Sequence, residues 1–174
     1  MTIWQNIIFG CLAIIATLSI YQDNQIDKEL AVVKDRLDNI HKIQIESSYR
    51  RYVQDFIDND FEGIASHFEP PVNFKPYDFV AETNEDVMNQ YKDMKANIQE
   101  GYAYSLIDEI DISKTSNNNF LLCADYTRYN SDDQILFEGR TQYIYVYSLN
   151  GGWKINSLDS MDRDKNKSCK KLLN

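Results

Sequence analysis

The histidines are the first candidates for proton transfer. His41 lies in a long helical segment, and His67 lies at the end of a short one, directly before Phe68. His67 has two interpretations: a general base or ligand donor, or a half-exposed histidine placed favourably near a helix C-terminus. We favour the second interpretation, because the sequence identifies no acidic partner for His67.

Charged residues in strand-like segments are the second set of candidates. Asp108 belongs to the acidic run DEID, which is typical of a solvated strand face. Asp125 alternates with Cys123 and Thr127, on the side of its strand opposite the more apolar residues. Arg128 could bind a ligand carboxylate in a pocket, although arginines in strands more often lie at a rim. These residues form no recognisable catalytic pair.

Charge and motifs exclude several function classes. The 174 residues carry a formal net charge of −9, which argues against nucleic-acid binding because phosphate contacts need clustered Lys and Arg. The sequence has no Gly-rich phosphate loop, no nucleophile elbow and no paired histidines on one helix. We therefore predict no cofactor and no metal site.

The spacing of the three cysteines, Cys11, Cys123 and Cys169, matches no zinc or redox motif. Cys123 and Cys169 could form a disulfide if the globular part is exported. The alternative is a buried thiol in a strand and an exposed thiol in a polar tail. We favour separate thiols, because sequence alone does not give the distance that a disulfide requires.

The N-terminal segment predicts a membrane attachment. Residues 7–21 contain no charged side chain, and with Ile3 and Trp4 the apolar stretch approaches the roughly 20 residues that span a bilayer. Trp4 and Tyr21 lie at its ends, where aromatic side chains favour the interface. We interpret residues 1–22 as a retained transmembrane anchor. A cleaved signal peptide is the alternative, but no Lys or Arg precedes the span.

The orientation of this anchor is weakly determined. The basic residues that follow the span would place the chain beyond it in the cytoplasm, but the first of them, Lys28, lies well beyond Tyr21. A short N-terminus before a single span is also the usual form of an exported, anchored domain. We favour a single-pass protein of a bacterial inner membrane, with its domain in the periplasm.

Residues 23–45 predict a connecting helix with an apolar seam. The seam residues step by 4, 3, 4 and 3 positions, which is heptad spacing. One interpretation is a short coiled coil that dimerises the protein, and the other is an amphipathic helix packed on its own domain. Both stay open, because only about two heptads are present. The seam consists of Ile26, Leu30, Val33, Leu37 and Ile40.

Residues 46–160 predict an α+β domain. The first helix continues beyond residue 46, a short helix follows Asp60, and a third helix begins at Thr83, whose spacing from Asp86 fits a capping box. From Tyr102, four strand-like segments separated by short turns predict an antiparallel meander. The preceding helices must then cover one face of that sheet. Residues 161–174 form a polar tail.

The last hairpin decides where three alternating tyrosines point. The Asn-Gly pair at 150–151 predicts a two-residue turn, which places Val146 opposite Ile155. With that register the tyrosines lie on the outer face, whereas a three-residue loop would reverse the two faces. We favour the two-residue turn and predict that the outward tyrosines form a partner surface. They are Tyr143, Tyr145 and Tyr147.

The order of elements resembles the nuclear transport factor 2-like superfamily, in its SnoaL-like branch, over about residues 46–160. The matching features are YVQDFIDND in the first helix, FEGIASHF before a Pro and a short strand, a third helix, and the closing hairpin YSLNGGWKI. The resemblance implies a curved antiparallel sheet wrapped around helices, a cystatin-like cone with an internal pocket. The superfamily includes isomerases, dehydratases and polyketide cyclases, many non-catalytic proteins, and membrane-anchored assembly factors of secretion systems.

Two function hypotheses follow. The favoured one is a membrane-anchored, non-catalytic interaction or scaffold domain that self-associates or joins a membrane-protein complex. The alternative is a small-molecule-binding protein or an enzyme of the isomerase, dehydratase or cyclase type, which requires a roomy polar cone with a carboxylate inside. The residues that we expect to line such a pocket are Tyr52, His67, Tyr91, Asp125, Arg128 and Trp153.

Overall fold

The computed structural model describes residues 3–116, 118–149, 151–161, 163 and 169, without the side chains of residues 3–20 and 23. The chain divides into two compact units, Met1–Ile40 and His41–Asn174. The first helix, α1 (Ile3–Asp58), contributes residues to both units. Most of the predicted tail, residues 161–174, lies outside the described residues.

The described residues of the first unit are helical, and α1 runs through the whole of the predicted connecting segment 23–45. The five apolar residues of the heptad seam are exposed. The side chains of the predicted anchor, residues 1–22, lie almost entirely outside the described part of the chain. A search of the described residues finds no helix with the length and apolar character of a membrane span.

Three helices contribute to the second unit. The end of α1 buries Ile45, Tyr49, Tyr52 and Phe56, whose spacing of 4, 3 and 4 puts them on one helical face. Helix α2 (Phe61–Ser66) and helix α3 (Asn84–Ala96) follow. Both of these helices start at an N-terminal cap.

Each of the two later helices begins at a side chain that accepts a hydrogen bond from its first turn. The Gly63 amide donates to Asp60 Oδ1 over 2.9 Å at the start of α2. At α3, the Asp86 amide donates to Thr83 Oγ1 over 3.1 Å, and the Thr83 amide donates to Asp86 Oδ2 over 2.9 Å. The predicted capping box is confirmed.

One six-stranded sheet completes the second unit, in the order β2-β1-β6-β5-β4-β3. Strands β3 to β6 are antiparallel neighbours in chain order, which confirms the predicted meander. Strand β1 runs parallel to β6, so the sheet is mixed rather than wholly antiparallel. The α+β class is confirmed. The strands are β1 (Phe68–Phe74), β2 (Phe79–Ala81), β3 (Tyr102–Ser116), β4 (Asn119–Asn130), β5 (Ile135–Ser148) and β6 (Gly152–Met161).

The core lies between helices α1 and α3 and one face of the sheet, which we call the inner face. Strand β4 presents Phe120, Leu122 and Ala124 to this core. Alternate residues of the same strand, such as Cys123 and Asp125, point to the opposite side, the outer face. The two faces of β4 therefore carry different chemistry.

The β5–β6 hairpin corrects the predicted register. Ser148 pairs with Gly152, so the loop contains three residues, 149–151, of which residue 150 lies outside the described part. Gly152, directly after the loop, adopts the left-handed conformation, with φ of +73°, which typically follows the turn of a three-residue hairpin loop. Tyr145, not Val146, therefore lies opposite Ile155.

Tyr143 and Tyr145 face inward, and a bulge in β6 keeps an apolar residue opposite each of them. Ile144 pairs with Ser157 and Tyr145 pairs with Ile155, which leaves Asn156 as the extra residue of β6. Tyr143 and Tyr145 are only 5% and 0% exposed, whereas Tyr147 is 54% exposed. The predicted partner surface is thus wrong for Tyr143 and Tyr145, which belong to the core.

A buried ion pair lies on the outer face. Arg140 Nε and Nη2 donate to the two carboxylate oxygens of Asp125 over 2.6 and 2.8 Å, and both side chains are almost wholly buried. Arg163 Nη1 adds a 2.8 Å hydrogen bond to Asp108 Oδ2. The carboxylates of Asp125 and Asp108 are therefore paired with arginines of the chain itself, in the short, well-aligned contacts that charged pairs favour.

A disulfide joins Cys123 of β4 to Cys169, with a Cα–Cα distance of 5.5 Å. The separate thiols that we favoured from the sequence are therefore wrong. Cys169 is buried, and its backbone amide donates to Glu109 Oε2 over 3.2 Å. The sequence could not reveal this pairing, since 46 residues separate the two cysteines.

Candidate functional site

A cavity of about 200 Å³ lies between the helices and the inner face of the second unit. Drug-sized ligands occupy pockets of roughly 300–1,000 Å³, so this cavity suits a smaller ligand. Aromatic residues make up most of its wall, and the tyrosines among them bring hydroxyl groups to it. The tyrosines of the wall are Tyr49, Tyr52, Tyr77, Tyr91, Tyr126 and Tyr143.

Four buried tyrosines make the interior polar without making it charged. The hydroxyls of Tyr52 and Tyr91 share a 2.7 Å hydrogen bond, and the rings of Tyr49 and Tyr143 lie 5.2 Å apart. Burial, followed by the neighbouring tyrosines, raises the pKa of each of the four well above its ordinary value. Their hydroxyls therefore stay protonated and neutral near pH 7.

Arg128 is the cation of the cavity wall. It lies on β4, and aromatic rings surround its guanidinium, whose carbon is 5.3 Å from the centre of Tyr126 and 5.4 Å from that of Phe137. Its Nη1 donates to Gln99 Oε1 over 2.9 Å. Its Nε is buried and has no hydrogen-bond partner among the described residues.

A second cation, Lys95 of α3, lies close to the rings of Phe56 and Tyr102, which Arg128 also approaches. Its Nζ is 4.4 Å from the centre of Phe56 and 4.5 Å from that of Tyr102, and it donates to the Phe56 carbonyl over 2.9 Å. Burial, and then the charge of Arg128, lowers the pKa of Lys95 to about 8. The two cations therefore share one poorly solvated neighbourhood.

With this architecture in place, a sequence comparison decides the family. The family described as NTF2-like protein (DUF6841) matches residues 41–162. The chain belongs to this NTF2-like family. The match confirms the resemblance to the nuclear transport factor 2-like superfamily and covers the whole sheet, helices α2 and α3, and the end of α1. Among curated proteins, none matches the chain.

Solved structures share the fold at low sequence identity. A cystatin-like domain of unknown function from Nostoc punctiforme has 11% identity and a TM-score of 0.59, over 77% of this chain and 82% of that one. Aln2 from a Streptomyces species has 15% identity and a TM-score of 0.57, over 72% and 91%. A variant of a function-unknown protein from Mycobacterium tuberculosis has 18% identity and a TM-score of 0.58, over 73% and 79%. At such identities the likeness shows the fold alone.

The NTF2-like cavity brings together three of the six residues expected in the pocket. Tyr52, Tyr91 and Arg128 line it. Asp125 is a correction, because it lies on the outer face in its pair with Arg140. The alternation along β4 already indicates that Asp125 lies opposite the apolar side, and the structure agrees with this alternation.

His67 and Trp153 line a different surface depression, together with Lys154. His67 also corrects the sequence analysis: it is buried, and it has an acidic partner in Asp55, whose Oδ2 lies 2.8 Å from Nε2. Burial lowers the pKa of His67, and the Asp55 contact opposes that shift. The pair connects α1 to the end of α2, away from the cavity.

Sequence reasoning missed Tyr49, Tyr143 and Thr141 as cavity residues. Tyr49 belongs to the apolar stripe of α1 and is one helical turn from Tyr52, which is a detectable signal. Tyr143 and Thr141 share their face of β5 with Tyr145, so they depend on the hairpin register. The alternative register with a three-residue loop, which the structure adopts, predicts both residues on the inner face.

The titration of Lys95 tests the electrostatic contact between the two cations. We expect its amine to titrate near pH 8, and we expect Arg128→Met to raise the pKa of Lys95, because a nearby positive charge is removed. An NMR titration of the lysine side chains measures both midpoints, and Lys95→Arg identifies the signal. A midpoint that does not move in Arg128→Met contradicts this contact.

Proposed function

We propose that the NTF2-like unit binds a small molecule in its internal cavity. The observation that carries the proposal is a cavity whose apolar ring wall is interrupted by a few convergent polar groups, which is the usual composition of a ligand site. The interaction-domain hypothesis has lost part of its support, because Tyr143 and Tyr145 are core residues.

Binding explains the cavity better than proton-transfer catalysis does. The enzyme hypothesis requires a carboxylate inside, whereas the described residues that line the cavity include no Asp, Glu or His. The tyrosine hydroxyls do not replace a general base, since burial keeps them protonated. We therefore infer a non-catalytic ligand-binding domain.

We also propose that residues 1–22 anchor the protein in a bacterial inner membrane, with the binding domain in the periplasm. The Cys123–Cys169 disulfide supports this side of the membrane, because disulfides persist in oxidising compartments and are rare in the cytosol. The uncharged N-terminal sequence supports the anchor itself.

Self-association through the heptad seam is a second function that we propose. The exposed seam places Leu30 and Leu37 at a positions, with a β-branched residue at each d position. In a parallel arrangement, Glu29 at a g position faces Lys34 at an e position of the next copy, so opposite charges meet. Leu at a with β-branched d residues shifts the preference towards trimers or tetramers, rather than the predicted dimer.

The cavity proposal predicts that filling the cavity weakens binding. Thr141→Phe places a ring in the space that the ligand would occupy, and we expect it to weaken the binding of 2-naphthamide, a neutral two-ring probe, by about 10-fold or more. Calorimetric titration of the full chain in detergent measures the affinity. Thr115→Phe, at an exposed position of β3, is the matched control. Equal affinities of the two variants contradict the proposal.

The export proposal predicts oxidised cysteines in the cell. In a Cys11→Ser background, we expect a maleimide reagent to label Cys123 and Cys169 in denatured lysate only after reduction, because the disulfide protects both thiols. A gel shift of the labelled protein measures the modification. Full labelling before reduction, in freshly lysed cells, excludes an oxidising compartment.

The seam proposal predicts that one buried charge dissociates the oligomer. Val33→Asp places a carboxylate at a d position, so we expect the mass of the full chain to fall to that of a monomer. Val32→Asp is the matched control, since Val32 is exposed but lies off the seam. Sedimentation equilibrium in density-matched detergent gives the mass. The seam is not the contact if both variants keep the wild-type mass.

A further inference from the structure

Arg128 lies where the internal cavity meets a surface depression of about 530 Å³. The two spaces share four wall residues, which are Phe56, Tyr77, Met94 and Arg128. A ligand that entered the cavity from this depression would pass the guanidinium. The position of Arg128 thus gives it access to one end of a bound molecule.

The hydrogen-bonding capacity of Arg128 is only partly used. Gln99 accepts from Nη1, but the buried Nε has no partner within the described part of the chain. None of the ion pairs between described residues joins Arg128 to a carboxylate. A partly buried guanidinium with an unused donor and no carboxylate partner is suited to receive an anion.

The electrostatics around Arg128 favour a negative ligand. Lys95 adds a second positive charge beside the Phe56 and Tyr102 rings. The described cavity wall contains no acidic side chain, and its buried tyrosines are neutral. An anion at Arg128 would therefore meet the guanidinium, with Lys95 nearby, and no acidic side chain of the cavity wall, although Asp93 lines the adjoining depression.

We propose that the ligand of this cavity is a compact aromatic carboxylate, with its rings among the tyrosines and its carboxylate on Arg128. This inference rests on the proposed ligand-binding function and specifies its chemical class. A carboxylate fits better than a phosphate dianion, because one partly used guanidinium offers too few donors for three phosphate oxygens. The cavity volume restricts the apolar body to one or two rings.

A matched pair of probes tests the charge requirement. 2-Naphthoate carries a carboxylate, and 2-naphthamide has nearly the same shape without the charge. We expect the wild-type full chain in detergent to bind naphthoate about 10- to 100-fold more tightly than naphthamide, as a charge-assisted hydrogen bond typically gives. Calorimetric titration at pH 7, where Lys95 is mostly protonated, measures both affinities.

Variants of Arg128 assign the preference to this residue. We expect Arg128→Gln to remove the preference for naphthoate and to leave naphthamide affinity within about threefold. Arg128→Lys should keep part of the preference, because it retains the charge without the planar donor geometry. Arg50→Gln is the matched control, since Arg50 is exposed and pairs with Glu46 on the surface of α1.

The outcomes separate this inference from the proposed function. Equal affinities of naphthoate and naphthamide for the wild type overturn the carboxylate assignment while small-molecule binding stands. A preference that survives in Arg128→Gln overturns the assignment to Arg128. Failure of both probes to bind the wild type overturns the proposed function, and this inference with it.

Discussion

The chemistry of the cavity depends on the register of the β5–β6 hairpin. The three-residue loop pairs Ser148 with Gly152, which places Tyr143 and Tyr145 on the inner face, and the bulge at Asn156 then places Leu158 opposite Tyr143. A shift by one residue would exchange every inward and outward side chain of β5. The cavity wall would then receive Gln142 and Ile144 in place of Thr141 and Tyr143, and the cavity would lose one of its four buried tyrosines.

The sequence predicts the features of the fold that local patterns determine. The α+β class, the meander and the capping box at Thr83 follow from periodicity and from residue types within one segment. The hairpin register does not, since the loop alternatives differ by one residue and Asn-Gly favours the shorter one. The bulge residue Asn156 also makes a contact that a local pattern does not reveal, because its Nδ2 donates to the Pro71 carbonyl, 85 positions away.

The candidate site was predictable to the extent that its residues lie on regular elements. Tyr52 and Tyr91 follow helical periodicity, and Arg128 lies on the apolar side of β4, so all three reach the cavity. Strand alternation alone predicts Asp125 on the outer face, which conflicts with its place among the expected pocket residues. Its partner Arg140 and the disulfide of Cys123 are contacts between separate segments, which a single sequence does not reveal.

The two faces of the sheet separate the charges of this acidic protein. On the outer face, Asp125 and Asp108 are paired with Arg140 and Arg163, so those carboxylates contribute little field at the inner face. The formal net charge of −9 resides mainly on solvated side chains, whose influence is screened beyond about 8 Å at physiological ionic strength. Near Arg128, which is partly buried among aromatic rings, a local cation acts over a shorter distance and through a lower effective dielectric constant, so it outweighs that distant charge. An overall acidic NTF2-like protein can therefore select an anion, because the charges that decide binding are the ones inside the cavity wall.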